Sequence, residues 1–513
     1  MTTNEFKGFP RASTGVEGLD DILGGGFPIN RMYLVEGDPG AGKTTMALQF
    51  LLAGARLGEP GVYATLSETD EELRDVAASH GWSLDDITVC ELQTAEESLK
   101  ADSQYTLFHP SEVELSETTR SVLDTVERVR PMRIVFDSLS EMRLLARDSL
   151  RYRRQILALK HYFRGQSCTV LLLDYTGATT GDFQLQSLTH GVLSFEQLAP
   201  GYGSQRRRLR VQKIRGIPFR DGYHDYSIRT GGLQVFPRLV AADHPRQPAA
   251  RRSRETLDCG LPELDNLLGG GVEYGSSLML LGPAGVGKST LAAQYVAAAV
   301  RRGESPAVYT FDENPDQWID RAERLGLSLR QPLAEQRLSI RQVDPAALSP
   351  GELAHLVRCS VEVGTRLVVI DSLNGYQHAM SEERFLVLHL HELLTYLNQQ
   401  EVLTLLVMSQ AGIVGETLES PVDLSYLADT VVLLRYFEAF GEVRKALSVV
   451  KRRSGEHERT VRELRMSQEG PHVGRELREF QGILTGRLEY TGKSEPLLHG
   501  ETEGAGNGEV GRA

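Results

Sequence analysis

Gly37-Asp38-Pro39-Gly40-Ala41-Gly42-Lys43-Thr44 and Gly282-Pro283-Ala284-Gly285-Val286-Gly287-Lys288-Ser289 are two copies of one phosphate-binding pattern, G-x-x-x-x-G-K-[ST]. They stand 245 positions apart (288 − 43 = 245). The same offset carries Leu19-Asp20 onto Leu264-Asp265 and Gly24-Gly25-Gly26 onto Gly269-Gly270-Gly271. A chance glycine turn does not recur in register inside a repeat, so the chain reads as a duplicated nucleotide-binding domain. In each copy the glycines let backbone N–H groups turn toward phosphate oxygens, and the following helix adds the partial positive charge of its first turn. Lys43 and Lys288 are expected at the phosphates and Thr44 and Ser289 at Mg2+, with Thr45 and Thr290 extending the nucleotide-binding segments.

Outward from the loops, short apolar runs alternate with helical patterns. Met32 to Val35 leads into the first loop, and Thr45 to Leu57 reads as the helix after it. Gly61 to Leu66, Arg133 to Phe136 and Thr169 to Leu173 are further strand segments. Leu278 to Leu281, Ala307 to Phe311, Leu367 to Ile370 and Val402 to Met408 are their counterparts in the second copy. Near-continuous apolar strands separated by helices indicate a mainly parallel sheet covered on both faces, so each copy is expected to be a doubly wound α/β domain. The expected boundaries are a first domain over 1–242, a linker over 243–254 where Pro245 and Pro248 interrupt an arginine-rich stretch, a second domain over 255–490 and a disordered tail over 491–513.

The bulk numbers exclude several classes. At 513 residues, 41% hydrophobic and 24% charged, the chain has the make-up of a globular protein with room for two domains. A net charge of −13 gives no global field toward nucleic acid or an anionic membrane. Four cysteines without C-x-x-C spacing suggest reduced thiols. The N-terminus lacks the apolar core of a signal peptide, and no apolar run approaches the ~18 residues of a membrane span. A cytoplasmic protein is expected.

Two further positions complete a nucleotide site. Ile134-Val135-Phe136-Asp137-Ser138 and Val368-Val369-Ile370-Asp371-Ser372 fit strands that end on a metal-facing aspartate, although Asp after an apolar run also caps helices. Glu68, in Thr65-Leu66-Ser67-Glu68-Thr69, and Asp312-Glu313, in Thr310-Phe311-Asp312-Glu313-Asn314, are expected to orient or deprotonate water; Glu68 and Glu313 also differ by 245.

Together these elements resemble the KaiC family of RecA-like ATPases from about Ser13 to Tyr490. Val211-Gln212-Lys213-Ile214-Arg215-Gly216 matches the family's K-x-R-G element, and Val450-Lys451-Arg452-Arg453-Ser454-Gly455 matches it with Ser for the glycine. The resemblance implies two tandem RecA-like P-loop NTPase domains, ATP with Mg2+, and a homo-oligomeric ring, expected to be a hexamer, with signalling-type protein partners. It also implies that Lys213, Arg215, Lys451 and Arg453 reach the triphosphate on a neighbouring subunit. The family pairs two glutamates at the strand end, whereas this chain has Ser67-Glu68 and Asp312-Glu313, so Glu68 lacks an adjacent carboxylate and slower or altered hydrolysis is expected there. Where the clock protein of the family carries Ser and Thr phosphosites, this chain has Ser425-Tyr426. Ser425 is therefore either a single phosphosite or a small loop residue. The expected function is a slow ATPase with serine autokinase activity. The alternatives are a RecA/DnaB-like DNA motor and a first domain that is mainly a structural ATP-binding ring, with nucleic acid disfavoured by the acidic total.

Overall fold

The computed structural model describes residues 10–92, 110–146, 148–175, 183–199, 203–244, 255–344, 346–379, 385–410, 426–484 and 489–491. Ser425, linker residues 245–254 and the tail from 492 onward lie outside them. By contacts the chain divides into two compact units: Met1–Pro245 with Val343–Val363 and Tyr376–Tyr396, and Arg246–Gln342 with Gly364–Gly375 and Leu397–Ala513.

Each repeat builds a nine-stranded sheet. In the first the order is Ile87–Glu91, Gly61–Thr65, Arg133–Asp137, Thr169–Tyr175, Met32–Gly37, Gly191–Leu198, Arg206–Ile214, His224–Arg229, Gly232–Phe236. The first six are parallel and the last three join antiparallel. The second repeat has the same order: Ser339–Gln342, Ala307–Thr310, Leu367–Asp371, Leu403–Ser409, Ser277–Gly282, Thr430–Ala439, Glu442–Arg452, Arg462–Ser467, Gly470–Glu476. It too is parallel through Thr430–Ala439 and antiparallel beyond. Both repeats are thus α/β domains of the RecA-like kind.

Every segment read as a buried strand lies on one of these strands, because both faces are covered. Met32 and Leu34 pack with Ile134, Val170 and Leu172 on one face; Tyr33 and Val35 pack with Phe50 and Leu51 on the other. The antiparallel extension escaped the apolar-run reading because its first strand, Arg206–Ile214, is rich in arginine and only half-buried. The helix expected from Thr45 to Leu57 runs Lys43–Ala55. Gly42, at φ 89°, is its N-cap without a side-chain cap, which leaves the first-turn N–H groups to a ligand. Among the described residues no helix is long and apolar enough to cross a membrane, and all four cysteines are free thiols.

The repeated residues outside the loops hold the start of each repeat in place. Asp20 accepts hydrogen bonds from Ser13 Oγ (2.6 Å) and Thr14 N (2.8 Å); Asp265 accepts one from Cys259 N (2.8 Å). The glycine triplets have nearly identical backbones, with φ of 65°, 105° and 107° at Gly24 to Gly26 and 64°, 102° and 107° at Gly269 to Gly271. A Cβ on Gly26 would fall 2.3 Å from Ala12 O, and one on Gly271 2.7 Å from Leu257 O. Gly26→Ala should therefore destabilise the first repeat by about 1–3 kcal/mol through strain at a special backbone site. Urea unfolding would measure this, and an unshifted midpoint would refute the close approach.

Candidate nucleotide site in each repeat

Both phosphate loops lie at the carboxyl end of a central strand, in the crevice where the strand order reverses. In the first, Lys43 is buried, donates to Gly37 O (2.8 Å) and Asp38 O (3.0 Å), and lies 4.3 Å over the Tyr175 ring. Burial pulls its pKa below the usual lysine value, against the opposing pull of Asp137, Asp38 and Asp174. Neutral carbonyls thus hold this cation where anionic oxygens would bind it better. Tyr226 OH donates to Ala41 O (2.6 Å), clamping the loop from the antiparallel extension.

Asp137 sits beside the loop as expected. Thr44 Oγ1 donates to its Oδ2 at 3.3 Å, and Tyr63 OH donates to the same oxygen at 2.5 Å. Burial raises the Asp137 pKa, opposed by the Tyr63 hydrogen bond, the Lys43 charge and the Thr44 hydroxyl. A threonine hydroxyl beside a buried carboxylate is an oxygen donor set of the kind Mg2+ takes, with phosphate and water completing its shell. The residues fit the ion.

Glu68 is fixed by its backbone. Thr65 Oγ1 donates to Glu68 O and accepts from Glu68 N, both at 2.9 Å. Thr69 and Glu72 then form a capping box that starts helix Asp70–Ser79. The T-x-x-E spacing of this box was available in the sequence as a signal. Although serine precedes it, Glu68 does not lack carboxylate neighbours: burial first, then Asp137 and Glu72, raise its pKa to about 7. Its Oε2 is buried without a hydrogen-bond partner among the described residues.

The second repeat keeps the frame and changes the charges. Lys288 donates to Pro283 O (2.8 Å), and burial lowers its pKa to about 8 despite Asp371. Burial raises Asp371, against Ser289, Arg321, Trp318 and Lys288. Asn314 replaces the capping box, accepting from Gln317 N (2.8 Å). Here both strand-end carboxylates are engaged: Asp312 Oδ2 accepts from Ser372 Oγ (2.6 Å), and Glu313 is ion-paired with Arg321. At Arg321's place the first repeat has Val76 (321 − 76 = 245).

Two buried arrangements were missed from sequence. Tyr63 and Leu73 in the first repeat correspond at the 245 offset to Val308 and Trp318 in the second, and all four are buried. The bulky aromatic comes from the strand in one repeat and from the helix in the other, which conserves volume beside the aspartate. Beneath the first loop, the buried Glu36 carboxylate accepts from Ser194 Oγ (2.8 Å), Gln186 Nε2 (3.0 Å) and Gln212 Nε2 (2.7 Å). The second repeat has Leu281 there, in register with Met408 and Leu433.

The four basic residues gather elsewhere. Lys213 pairs with Val192, next to the Gly191 that pairs with Tyr33 at the start of the loop strand. Val192 is itself in register with Leu34, three residues or roughly 10 Å short of Gly37, past which the loop of this repeat begins. Lys451 pairs with Val431, itself in register with Met279, near the start of Ser277–Gly282. A register shift precedes each lysine, a bulge no spacing rule had suggested. Lys213 donates to Gln186 O, Arg215 to Ser187 O (2.9 Å), Lys451 to Ala428 O (2.8 Å), and Arg453 to Tyr426 O (2.6 Å) with Asp429 as ion-pair partner (3.3 Å).

Because folding raises Glu68 from 4.5 to about 7, it favours the protonated form. The stability this lends is complete below pH 4.5 and lost as pH rises through 7. Glu68→Gln should therefore melt higher than the parent at pH 8 and no higher at pH 4.5; a gap independent of pH would refute the burial of this carboxyl.

A family model of the KaiC ATPase matches residues 12–240 and again 257–478. The circadian clock protein KaiC3 of Synechocystis is 26% identical over 502 residues, covering 96% of this chain and 98% of that protein. The circadian clock oscillator protein KaiC of Synechococcus elongatus is 25% identical over 502 residues, covering 96% and 95%. That of Thermosynechococcus vestitus is 26% identical over 495 residues, covering 95% and 92%. With the family's domain matched twice, over two loops of like geometry, the chain belongs to the KaiC family of ATPases.

Proposed function

We propose that this KaiC-family ATPase works as a homo-oligomeric ring, a hexamer by family likeness, with MgATP held by one protomer and met by cations of the next. The observation that carries this reading is the placement of Lys213, Arg215, Lys451 and Arg453 at the end of each sheet opposite its own phosphate loop. A cation pair so placed serves a nucleotide outside its own repeat, as an arginine finger supplied in trans does.

Within a protomer, Lys43 and Lys288 would exchange their carbonyl partners for phosphate oxygens. Thr44 with Asp137, and Ser289 with Asp371, would hold Mg2+, which supplies charge neutralisation at the phosphates. Glu68, which loses its proton at about pH 7 and lacks a hydrogen bond at Oε2, is suited above that pH to take a proton from water. Glu313 is held by Arg321 and Asp312 by Ser372, so hydrolysis is assigned chiefly to the first repeat. The second repeat is assigned slow turnover and phosphate transfer to Ser425, with Asp312 or Glu313 as base. The output would be conformational signalling to protein partners, as the clock names of the relatives suggest.

Four experiments test this. With the second loop disabled by Lys288→Ala, mixing Lys43→Ala chains with Lys213→Ala/Arg215→Ala chains should restore hydrolysis that each alone lacks; a mixture as inactive as its parents refutes action in trans. In the same background the rate should rise with pH through about 7, where Glu68 loses its proton, and Glu68→Gln should cost roughly a hundredfold or more in kcat. Equal losses from Glu68→Gln and Glu313→Gln in the intact protein would overturn the division of labour. Intact mass after incubation with MgATP should show one added phosphate, absent in Ser425→Ala.

A further inference from the structure

Glu36 stands one residue before Gly37 on the first loop strand, and only 9% of it is exposed. Side chains alternate along a strand, so it shares the face of Met32 and Leu34. The helix that carries Lys43 packs on the other face, with Tyr33 and Val35. Glu36 is therefore turned away from the helix that follows the phosphate loop. Its oxygens accept from Ser194 Oγ (2.8 Å), Gln212 Nε2 (2.7 Å) and Gln186 Nε2 (3.0 and 3.1 Å). Among the described residues no cation pairs with it. A buried carboxylate held by neutral donors alone is a costly arrangement, and its loss would leave those donors unpaired.

Both amides that Glu36 grips lead to the basic element. Val192 pairs with Lys213 and Leu193 with Val211, so Gln212 is the extra residue of the bulge. Such a bulge re-aims the side chains beside it. Lys213 follows at once, and Arg215 lies two residues on. Gln186 belongs to the short helix Phe183–Leu188, whose carbonyls receive both cations. Lys213 Nζ donates to Gln186 O, and Arg215 Nη2 to Ser187 O (2.9 Å). From one point Glu36 thus holds the strand distortion that presents the cations and the helix on which they rest.

The second repeat fixes the same element by other means. Leu281 stands at the place of Glu36 (281 − 36 = 245), and the bulged residue is Val450, apolar and 45% exposed. There Asp429 pairs directly with Arg453 (3.3 Å). His190 occupies that place in the first repeat: its Nδ1 accepts from Met32 N (3.3 Å), as Asp429 Oδ2 accepts from Ser277 N (3.0 Å). One repeat anchors its cations with a carboxylate that touches them, the other with a carboxylate acting through amides. We propose that Glu36 is the positioning residue of Lys213 and Arg215, setting their aim through Gln212 and Gln186. This role rests on the action of those cations in trans.

The test divides the work between full-length chains that all carry Lys288→Ala. Lys43→Ala chains then supply only the cations, and Lys213→Ala/Arg215→Ala chains only the phosphate loop. Glu36→Leu is placed in one partner at a time, and ATP hydrolysis by the mixture is measured. In the cation-supplying chain it should slow hydrolysis roughly tenfold or more, because a misplaced transition-state contact loses most of its effect. In the loop-supplying chain the loss should be several-fold smaller. Gln212→Leu leaves the loop strand untouched, should show the same asymmetry, and serves if Glu36→Leu misfolds. With the unsubstituted mixture active, no loss, an equal loss in both placements or a larger one in the loop-supplying chain overturns the role of Glu36 alone. An inactive unsubstituted mixture overturns the ring reading and this role with it.

Discussion

A lysine ammonium taken out of water at the end of a central strand is the constraint from which the rest of each repeat follows. Lys43 and Lys288 are held by loop carbonyls, with the Tyr175 ring beneath Lys43, and burial lowers both below the ordinary lysine value. Such a charge is costly unless opposite charge stands near it. The ends of the strands next but one supply that charge through Asp137 and Asp371, which burial disfavours in turn. The site is thus a pair of opposed desolvated groups spaced by strand register, of the kind that a ligand bringing anionic oxygens and a divalent ion together would relieve. Glycine caps at both helix starts and the clamp from Tyr226 keep the geometry that makes this relief available.

The two repeats share this frame and differ in what surrounds it. In the first, Glu68 is crowded by Asp137 and Glu72 and titrates near neutrality. In the second, Arg321 and Ser372 occupy the strand-end carboxylates. The exchange of Tyr63 and Leu73 for Val308 and Trp318 keeps the volume of the cores, while the Tyr63 hydroxyl that bonds Asp137 gives way to an apolar Val308. Duplication preserved the backbone, and divergence worked on charge.

The fold was legible because fully covered parallel strands must be apolar on both sides, so runs such as Ile134-Val135-Phe136 announced themselves. The antiparallel extension was not, since Arg206-Arg207-Arg208 looks like a solvated patch until pairing with Glu196, Gln197 and Leu198 places it in a sheet. Lys43 and Lys288, Asp137 and Asp371, and the strand-end carboxylates were picked out by spacing, and each set lies at one end of its sheet. Partners that come from distant strands and helices, such as Tyr63 to Asp137 or Arg321 to Glu313, leave no local pattern. The bulges before Lys213 and Lys451 were equally silent, because an extra residue in a strand changes pairing without changing composition.

The ion pair between Asp429 and Arg453, set against the imidazole of His190 facing Arg215, makes the two basic elements unequal competitors. Arg453 must abandon an internal carboxylate before it can engage anything outside its own repeat, while Arg215 gives up only a carbonyl contact. On the proposed reading, engagement in the second half would be an exchange reaction, whereas in the first it would be simple capture. One polypeptide thus carries a readily seized grip and a reluctant one.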